Sequence, residues 1–511
     1  MHDKRRVSKH TAITLAATAA IGVLGLFLFT HNKADVDLWG NVGFVKHWPN
    51  SPQFHLTNTF SFTEPDHPWV NHEWLAEYIF NRTHLRFGNP GLLILKALLG
   101  FTLISILNRS MRENARSGTV RFLLLAIVMS TIGYGFSTRP HLFTYILFAA
   151  LLKALLQPKP HLILLLVAAP LGCLWANLHG AFFIGQVLLL LATAWALVRH
   201  LTKREPSRRN LLILTVASAA FFLGTFWTPY GIRLWSFVSN SAALSRPILS
   251  EWAPFNPLTQ FSIHIDFILL SCIAVFTMLV SLKRCSGFAL LVLVLSLIAA
   301  LAMRRNIPIF AIVAALVATR YIDETLGWRI DGIIEKLSKQ FILALLIIAT
   351  TVSGIYFGRA NRARPLDIVV PRDQLPIEAM AFLERNVVHA NALVFFDWAE
   401  YFIWKMHPNS RVFLDGRFRS AYSEKAIQTY LNFIYAGSNP WAALNDYPTD
   451  LVFVHVGNPC TANMRYLEGW AIAYQDAMAV IFVKRDVHGE LLRDLSTRSP
   501  LPTEPLSESF P

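Results

Sequence analysis

Between residues 91 and 357 the chain repeats one pattern ten times: an apolar stretch of about 16–22 residues, in places shorter, followed by a polar link. The stretches fall at 91–107, 121–137, 142–157, 161–177, 181–198, 211–227, 266–282, 287–303, 307–320 and 341–357, and an eleventh fills 11–30. Such runs approach the ~20 residues that a helix needs to cross a hydrocarbon core. In lipid, only helices and closed barrels satisfy their own backbone groups. A soluble domain carries about 25% charged residues; here 15% are charged and 54% hydrophobic, too little polar surface to cover a water-soluble globule. The pattern predicts an α-helical polytopic membrane protein of about eleven spans. The run 11–30 follows Lys4-Arg5-Arg6 and lacks a small-x-small cleavage site before Asn32-Lys33, so it reads as a retained anchor.

Charge sets the expected direction. With the N-terminus inside, the links expected on the inner face hold 21 Lys and Arg, and those on the outer face hold 9 although they are longer in total. The positive-inside rule then places the N-terminus in the cytoplasm and, for an odd number of spans, the C-terminus outside. The net charge of +14 sits mostly in these short links, a pattern of membrane topology with no nucleic-acid partner. Cys173, Cys272, Cys285 and Cys460 are scattered and form no C-x-x-C pair, which argues against a disulfide framework and against cysteine chemistry.

The expected organisation is a cytoplasmic N-terminus and first span (1–30), a first outer loop with juxtamembrane helices (31–90), a multi-span domain (91–358), an outer α/β domain (359–490) and a disordered tail (491–511). The first loop is rich in Trp and Phe and is expected along the interface. The outer domain alternates strand-like runs at 393–396, 411–414, 451–454 and 479–483 with helical patterns at 376–388, 398–406, 423–436 and 440–446, the signature of a small, mostly parallel sheet. The tail is rich in Ser, Pro and Glu.

Span interiors are almost free of charge, Lys96 being the main exception, whereas a transporter places ionisable groups along a path through the bilayer. Polar residues gather instead at the expected outer ends: Asp35 and Asp37, Asn71-His72-Glu73, Arg139 and His141, Asn177 and His179, Tyr230, Glu251-Trp252, and Arg304-Arg305. Carboxylates can act as general bases or stabilise a cation-like sugar, arginine forks bind phosphate, and aromatics stack on sugar faces. The set fits transfer of a sugar from a lipid-linked phosphate donor.

The sequence also resembles a family. Asp35-Val36-Asp37-Leu38-Trp39 directly after the first span, Pro68-Trp69-Val70-Asn71-His72-Glu73-Trp74-Leu75-Ala76-Glu77, Arg139-Pro140-His141, Trp175-Ala176-Asn177-Leu178-His179-Gly180 and Phe413-Leu414-Asp415-Gly416-Arg417 are similar to poorly characterised bacterial members of the C-type membrane glycosyltransferases (GT-C). The resemblance implies a polyprenyl-phosphate or polyprenyl-pyrophosphate sugar donor, a protein, lipid or glycan acceptor, and a site on the outer face of the bacterial inner membrane. It matches Asp35 or Asp37 to the acidic residue of the first loop, which in such enzymes is the catalytic base or orients the acceptor, with Glu73 in support. Family members differ in metal use, so Mg²⁺ or Mn²⁺ held by Asp35 and Asp37 stays open, as spacing alone does not decide it.

Each residue also has a plainer reading. Asp35 and Asp37 fit a solvated loop start, and Glu73 with His72 fits a first helical turn facing the macrodipole. Arg139 and His141 fit an interfacial anchor, Tyr230 a belt tyrosine and Glu251 a rim carboxylate. Asn177 and His179 sit in a tight apolar turn where a polar role and a local one are balanced. Arg304 and Arg305 break the positive-inside pattern and fit either an anion site or lipid headgroups. Lys96 is costly in a span unless it snorkels or pairs, and otherwise could contact phosphate. Asp415 and Arg417 fit an internal pair fixing their loop. Two rivals to the enzyme remain at this level: a lipid-linked-sugar flippase or transporter, and a non-catalytic scaffold of an envelope glycan assembly.

Overall fold

The computed structural model describes residues 2–46, 57–65, 67–157, 162–203, 208–242, 250–360, 366–497 and 509–511. The protein is mostly helical with one small sheet, and it divides into two compact units. The first contains residues 1–32, 90–232 and 243–366; the second contains 33–89, 233–242 and 367–511.

The first unit is all helix. Every apolar stretch of the sequence contributes one, including His2–Phe29, Gly118–Gly133, His141–Leu155, Ile163–Leu178, Phe183–Leu201, Arg208–Gly224, Ile265–Val280, Gly287–Ala302, Ile307–Val317 and Lys339–Ala360. Ile307–Val317 is apolar all round and almost wholly buried, as a helix without a polar face must be. The expected eleven full-length spans are not what these helices form. Among the described residues two, Trp74–Asn114 and Gly180–Leu201, are long and apolar enough to cross a membrane, and a third follows if the pair Thr319–Lys336 and Lys339–Ile355, bent by 106°, counts as one. Six more apolar helices are shorter. Glycines and tight turns cut the runs: Gly118–Gly133 has 16 residues, which at ~1.5 Å per residue is about 24 Å against a ~30 Å core.

The second unit is built on a five-stranded sheet of order β2-β1-β3-β5-β4, with β1 Asn391–Val394, β2 Arg411–Val412, β3 Leu451–His455, β4 Trp470–Gln475 and β5 Ala479–Lys484. β2, β1 and β3 are parallel, but β5 pairs antiparallel with both β3 and β4. The sheet is therefore mixed rather than mostly parallel. A turn in which Asp476 Oδ1 accepts from the Met478 and Ala479 amides folds β4 back onto β5 as a hairpin.

The first loop packs on this sheet instead of standing as a separate part. Val412 donates to the Phe60 carbonyl and accepts from the Phe62 amide, so the loop extends the β2 edge. Its aromatics Trp39, Phe44, Phe60 and Trp69 are buried within the unit, not spread as an interfacial belt. The terminus corrects the disordered tail. Gly489–Thr497 is helical, and Phe510 is buried with its ring 4.7 Å from Trp39, 5.0 Å from His84 and 5.2 Å from Trp404, because three aromatic rings offer it more contact than water does. Residues 498–508 lie outside the described residues.

Candidate functional site

In the first unit the turns at 137–140 and Arg304–Asn306 lead into apolar helices, and side chains from them converge with those of the turn Ser250–Trp252. Glu251 sits between two arginines: its Oε2 is 3.3 Å from Arg139 Nη1 and its Oε1 is 3.8 Å from Arg305 Nη1. The Arg305 guanidinium also lies 4.5 Å over the Trp252 ring, a cation–π contact that fixes its plane. His141 is within electrostatic reach of Arg139, Glu251 and Arg305, and its Nε2 donates to the Gly135 carbonyl at 2.6 Å, which sets its tautomer. Glu251 is thus a partly exposed carboxylate shared by two guanidinium groups. At 3.8 Å Glu251 does not occupy the fork of Arg305, which makes no hydrogen bond among the described residues.

The remaining sequence-selected residues of this unit have local duties. Lys96 is buried and its ammonium donates to the His31 carbonyl beyond the end of helix His2–Phe29, so its charge is held by backbone oxygen. Asn177 donates to the carbonyls of Cys173 (2.7 Å) and Trp227 (3.0 Å), tying two helix ends together. Thr144 Oγ1 accepts from Trp175 Nε1 and is hydrogen-bonded to His179 Nδ1, both at 2.8 Å. Tyr230 lies in a turn where Thr228 Oγ1 accepts from the Tyr230 and Gly231 amides, with Gly231 at φ +52°. Arg304 parts from Arg305: its amide donates to the Ala253 carbonyl, and its charge acts on His264.

In the second unit Asp35 Oδ1 accepts from the Asp37 amide at 3.1 Å, and Asp37 caps helix Leu38–Gly43 by position without a side-chain hydrogen bond to it. Both are half-buried. His72 and Glu73 pair at 3.5 Å, and the His72 ring stacks 4.8 Å from Phe237. Asn71 does the capping of the following helix: its Oδ1 accepts from the Glu73 amide and its Nδ2 donates to buried Glu77 at 2.6 Å. The Asp415-Gly416-Arg417 turn is an internal ion pair, with Arg417 Nε 2.9 Å from Asp415 Oδ1 and Nη2 2.7 Å from Oδ2. Phe44, Phe60, Trp69 and Tyr422 surround the guanidinium at 4.6–5.8 Å.

The residue that sequence reasoning missed is Glu400. It stands in helix Ala399–Met406 among buried apolar neighbours, and its Oε2 accepts from the Gly40 amide at 3.0 Å. Burial, followed by the like charges of Asp37 and Asp415, holds its carboxyl well above the usual range, against weaker opposing pulls from the Gly40 amide and Arg417. The available signal was an acid on the apolar face of a short helix. Asp397, by contrast, is exposed in the turn after β1. Among the described residues no three His, Cys, Asp or Glu come together in a way that could hold a metal ion, so Asp35 and Asp37 are not assigned as ligands. No protein-family model matches the chain, and no curated protein does.

Proposed function

We propose that the protein is a polytopic membrane glycosyltransferase, GT-C-like in kind, that uses a polyprenyl-phosphate-linked sugar donor at the outer face of a bacterial inner membrane. The observation that carries this reading is the convergence of Arg139 and Arg305 on one displaceable carboxylate, Glu251. A partly exposed ion pair of 3.8 Å is worth little, so a phosphate that engages the Arg305 fork and displaces Glu251 outcompetes it. The helices of the same unit present Leu98, Leu166, Leu223, Leu279, Ile298 and Ile347 outward, each more than half exposed. An anion site on a unit with an apolar exterior suits an anion that ends a lipid. In this reading the shorter apolar helices also span, with tilt and local thinning of the bilayer making up their length.

The reaction breaks the bond between the sugar's anomeric carbon and the phosphate oxygen and forms one from that carbon to the acceptor oxygen. Arg139 and Arg305 of the first unit hold the departing polyprenyl phosphate; the acceptor's proton goes to a carboxylate, for which the likeness of the first loop to the GT-C enzymes nominates Asp37, with Asp35 accepting from its amide. The test is mass spectrometry of polyprenyl-phosphate sugars incubated with purified protein in nanodiscs, with envelope extract as acceptor source. Wild type should release free carrier, and Asp37→Asn should lower the rate by at least ~100-fold. An intact donor pool with the wild type, or equal rates in both proteins, would sink the assignment.

A further inference from the structure

Glu400 reaches across the second unit into a space made by two absent side chains. A Cβ at Gly40 would lie 2.2 Å from Glu400 Oε2, and a Cβ at Gly416 would lie 2.3 Å from Oε1. One oxygen thus rests against the first-loop helix Leu38–Gly43 and the other against the Asp415–Arg417 turn. The Gly40 amide donates to Glu400 within the first turn of that helix, three residues after Asp37. The charged groups acting on the carboxyl are Asp37, Asp415 and Arg417, and Arg417 is already bound bidentately by Asp415. The Glu400 carboxyl itself is buried, and burial with two like charges near it favours its neutral form.

We propose that Glu400 is the positioning residue of the Asp35–Asp37 segment: its carboxyl, wedged between Gly40 and Gly416, sets where the helix Leu38–Gly43 and its N-terminal Asp37 stand on the sheet. Its importance for transfer rests on the reading of Asp37 as the base; its structural part does not. Because the folded pKa is raised, the wedge is complete below about 4.5, the ordinary value, and is lost as pH rises through the folded value. Gln has the same shape and no charge to gain, so it reproduces the wedge at all pH.

Hydrogen–deuterium exchange of the full-length protein in nanodiscs, compared between variants at each pH, reads this directly. Glu400→Ala should speed exchange of the 38–43 amides about tenfold, the loss of one buried hydrogen bond. Glu400→Gln should match wild type at low pH and stay protected at high pH, where wild type loosens. Gly416→Ala should loosen the segment in the wild-type background and add little in Glu400→Ala, since the three atoms nearest the new methyl all belong to Glu400. Unchanged exchange in Glu400→Ala and Gly416→Ala, or a Gln variant that behaves as Ala, overturns the proposal. In the transfer assay Glu400→Gln should keep kcat and extend activity to higher pH, and Glu400→Ala should lower kcat at constant donor KM. If wild type transfers nothing, the enzyme reading fails while the exchange result still decides the role of Glu400.

Discussion

Arginine and lysine carry the same charge, but only arginine presents a planar fork, and this separates a phosphate site from a simple basic patch. If Arg139 and Arg305 grip a lipid phosphate through paired hydrogen bonds, Arg305→Lys should weaken binding of a short-chain prenyl phosphate about 10- to 100-fold, the value of one or two charge-assisted bonds. Glu251→Gln should tighten it several-fold, because the ligand no longer displaces a carboxylate. Calorimetric titration in detergent checks both, and an Arg305→Lys variant that binds as wild type would reduce the cluster to an interfacial anchor. Arg139, His141, Glu251 and Arg305 were legible because polar residues at the ends of apolar runs stand out. Lys96, Asn177 and His179 stood out equally, yet their groups turn to backbone carbonyls and to Thr144. Sequence position locates a polar side chain along a helix but not the direction in which it finds its partner. Glu400 was hidden for the opposite reason: its hydrogen-bond partner is the Gly40 amide, 360 residues away, and only the folded chain brings it near.

Among elements, helix existence was easy to read and helix length was not. Each apolar run became a helix, but where it stops depends on caps and close approaches that hydropathy ignores. Helices Ile163–Leu178 and Arg208–Gly224 approach so closely that a Cβ at Gly172 would lie 2.2 Å from the Phe221 carbonyl oxygen, and one at Gly224 would lie 2.1 Å from that of Ala169. Small residues serve this purpose where van der Waals contact, rather than hydrophobic expulsion, joins helices. Gly172→Ala and Gly224→Ala should each destabilise the first unit by about 1–3 kcal/mol, since backbone cannot yield as a flexible side chain does. Gly22→Ala and Gly354→Ala, which meet nothing within 4 Å, should be neutral or slightly stabilising. Thermal unfolding in detergent with a probe on the first unit distinguishes the pairs. In the sheet, β1, β3 and β5 showed as continuous apolar runs because both faces are covered, whereas β4 alternates with partial exposure and has a bulge at Ile472–Tyr474, which blurs its period.

For the whole molecule, the sequence suggested a loop after the first helix and a separate α/β domain at the end, and folding makes these one body. The reason is chemical as well as topological. Residues 367–511 alone leave Arg417 without Phe44, Phe60, Trp69 and Asn58, and leave β2 without the Phe60 and Phe62 backbone that borders it. They also leave Val369 without the Ala34 amide and Phe510 without Trp39. A guanidinium and a carboxylate that are sealed by rings in the intact chain would then face a half-built core, and breaking the surroundings of a buried ion pair is strongly unfavourable. The fragment 367–511 should therefore lack a cooperative unfolding transition, whereas the same fragment joined through a flexible linker to 33–89 should regain one. Near-ultraviolet circular dichroism is a suitable readout, because the rings around Arg417 report on packing. Cys460 gives a second: burial pushes its thiol up to about 12, so it should resist alkylation at neutral pH in the joined protein and react in the isolated fragment. A fragment 367–511 that unfolds cooperatively with Cys460 protected would mean that the first loop merely decorates a self-sufficient domain, and the coupling of Asp37 to the sheet through Glu400 would lose its structural basis.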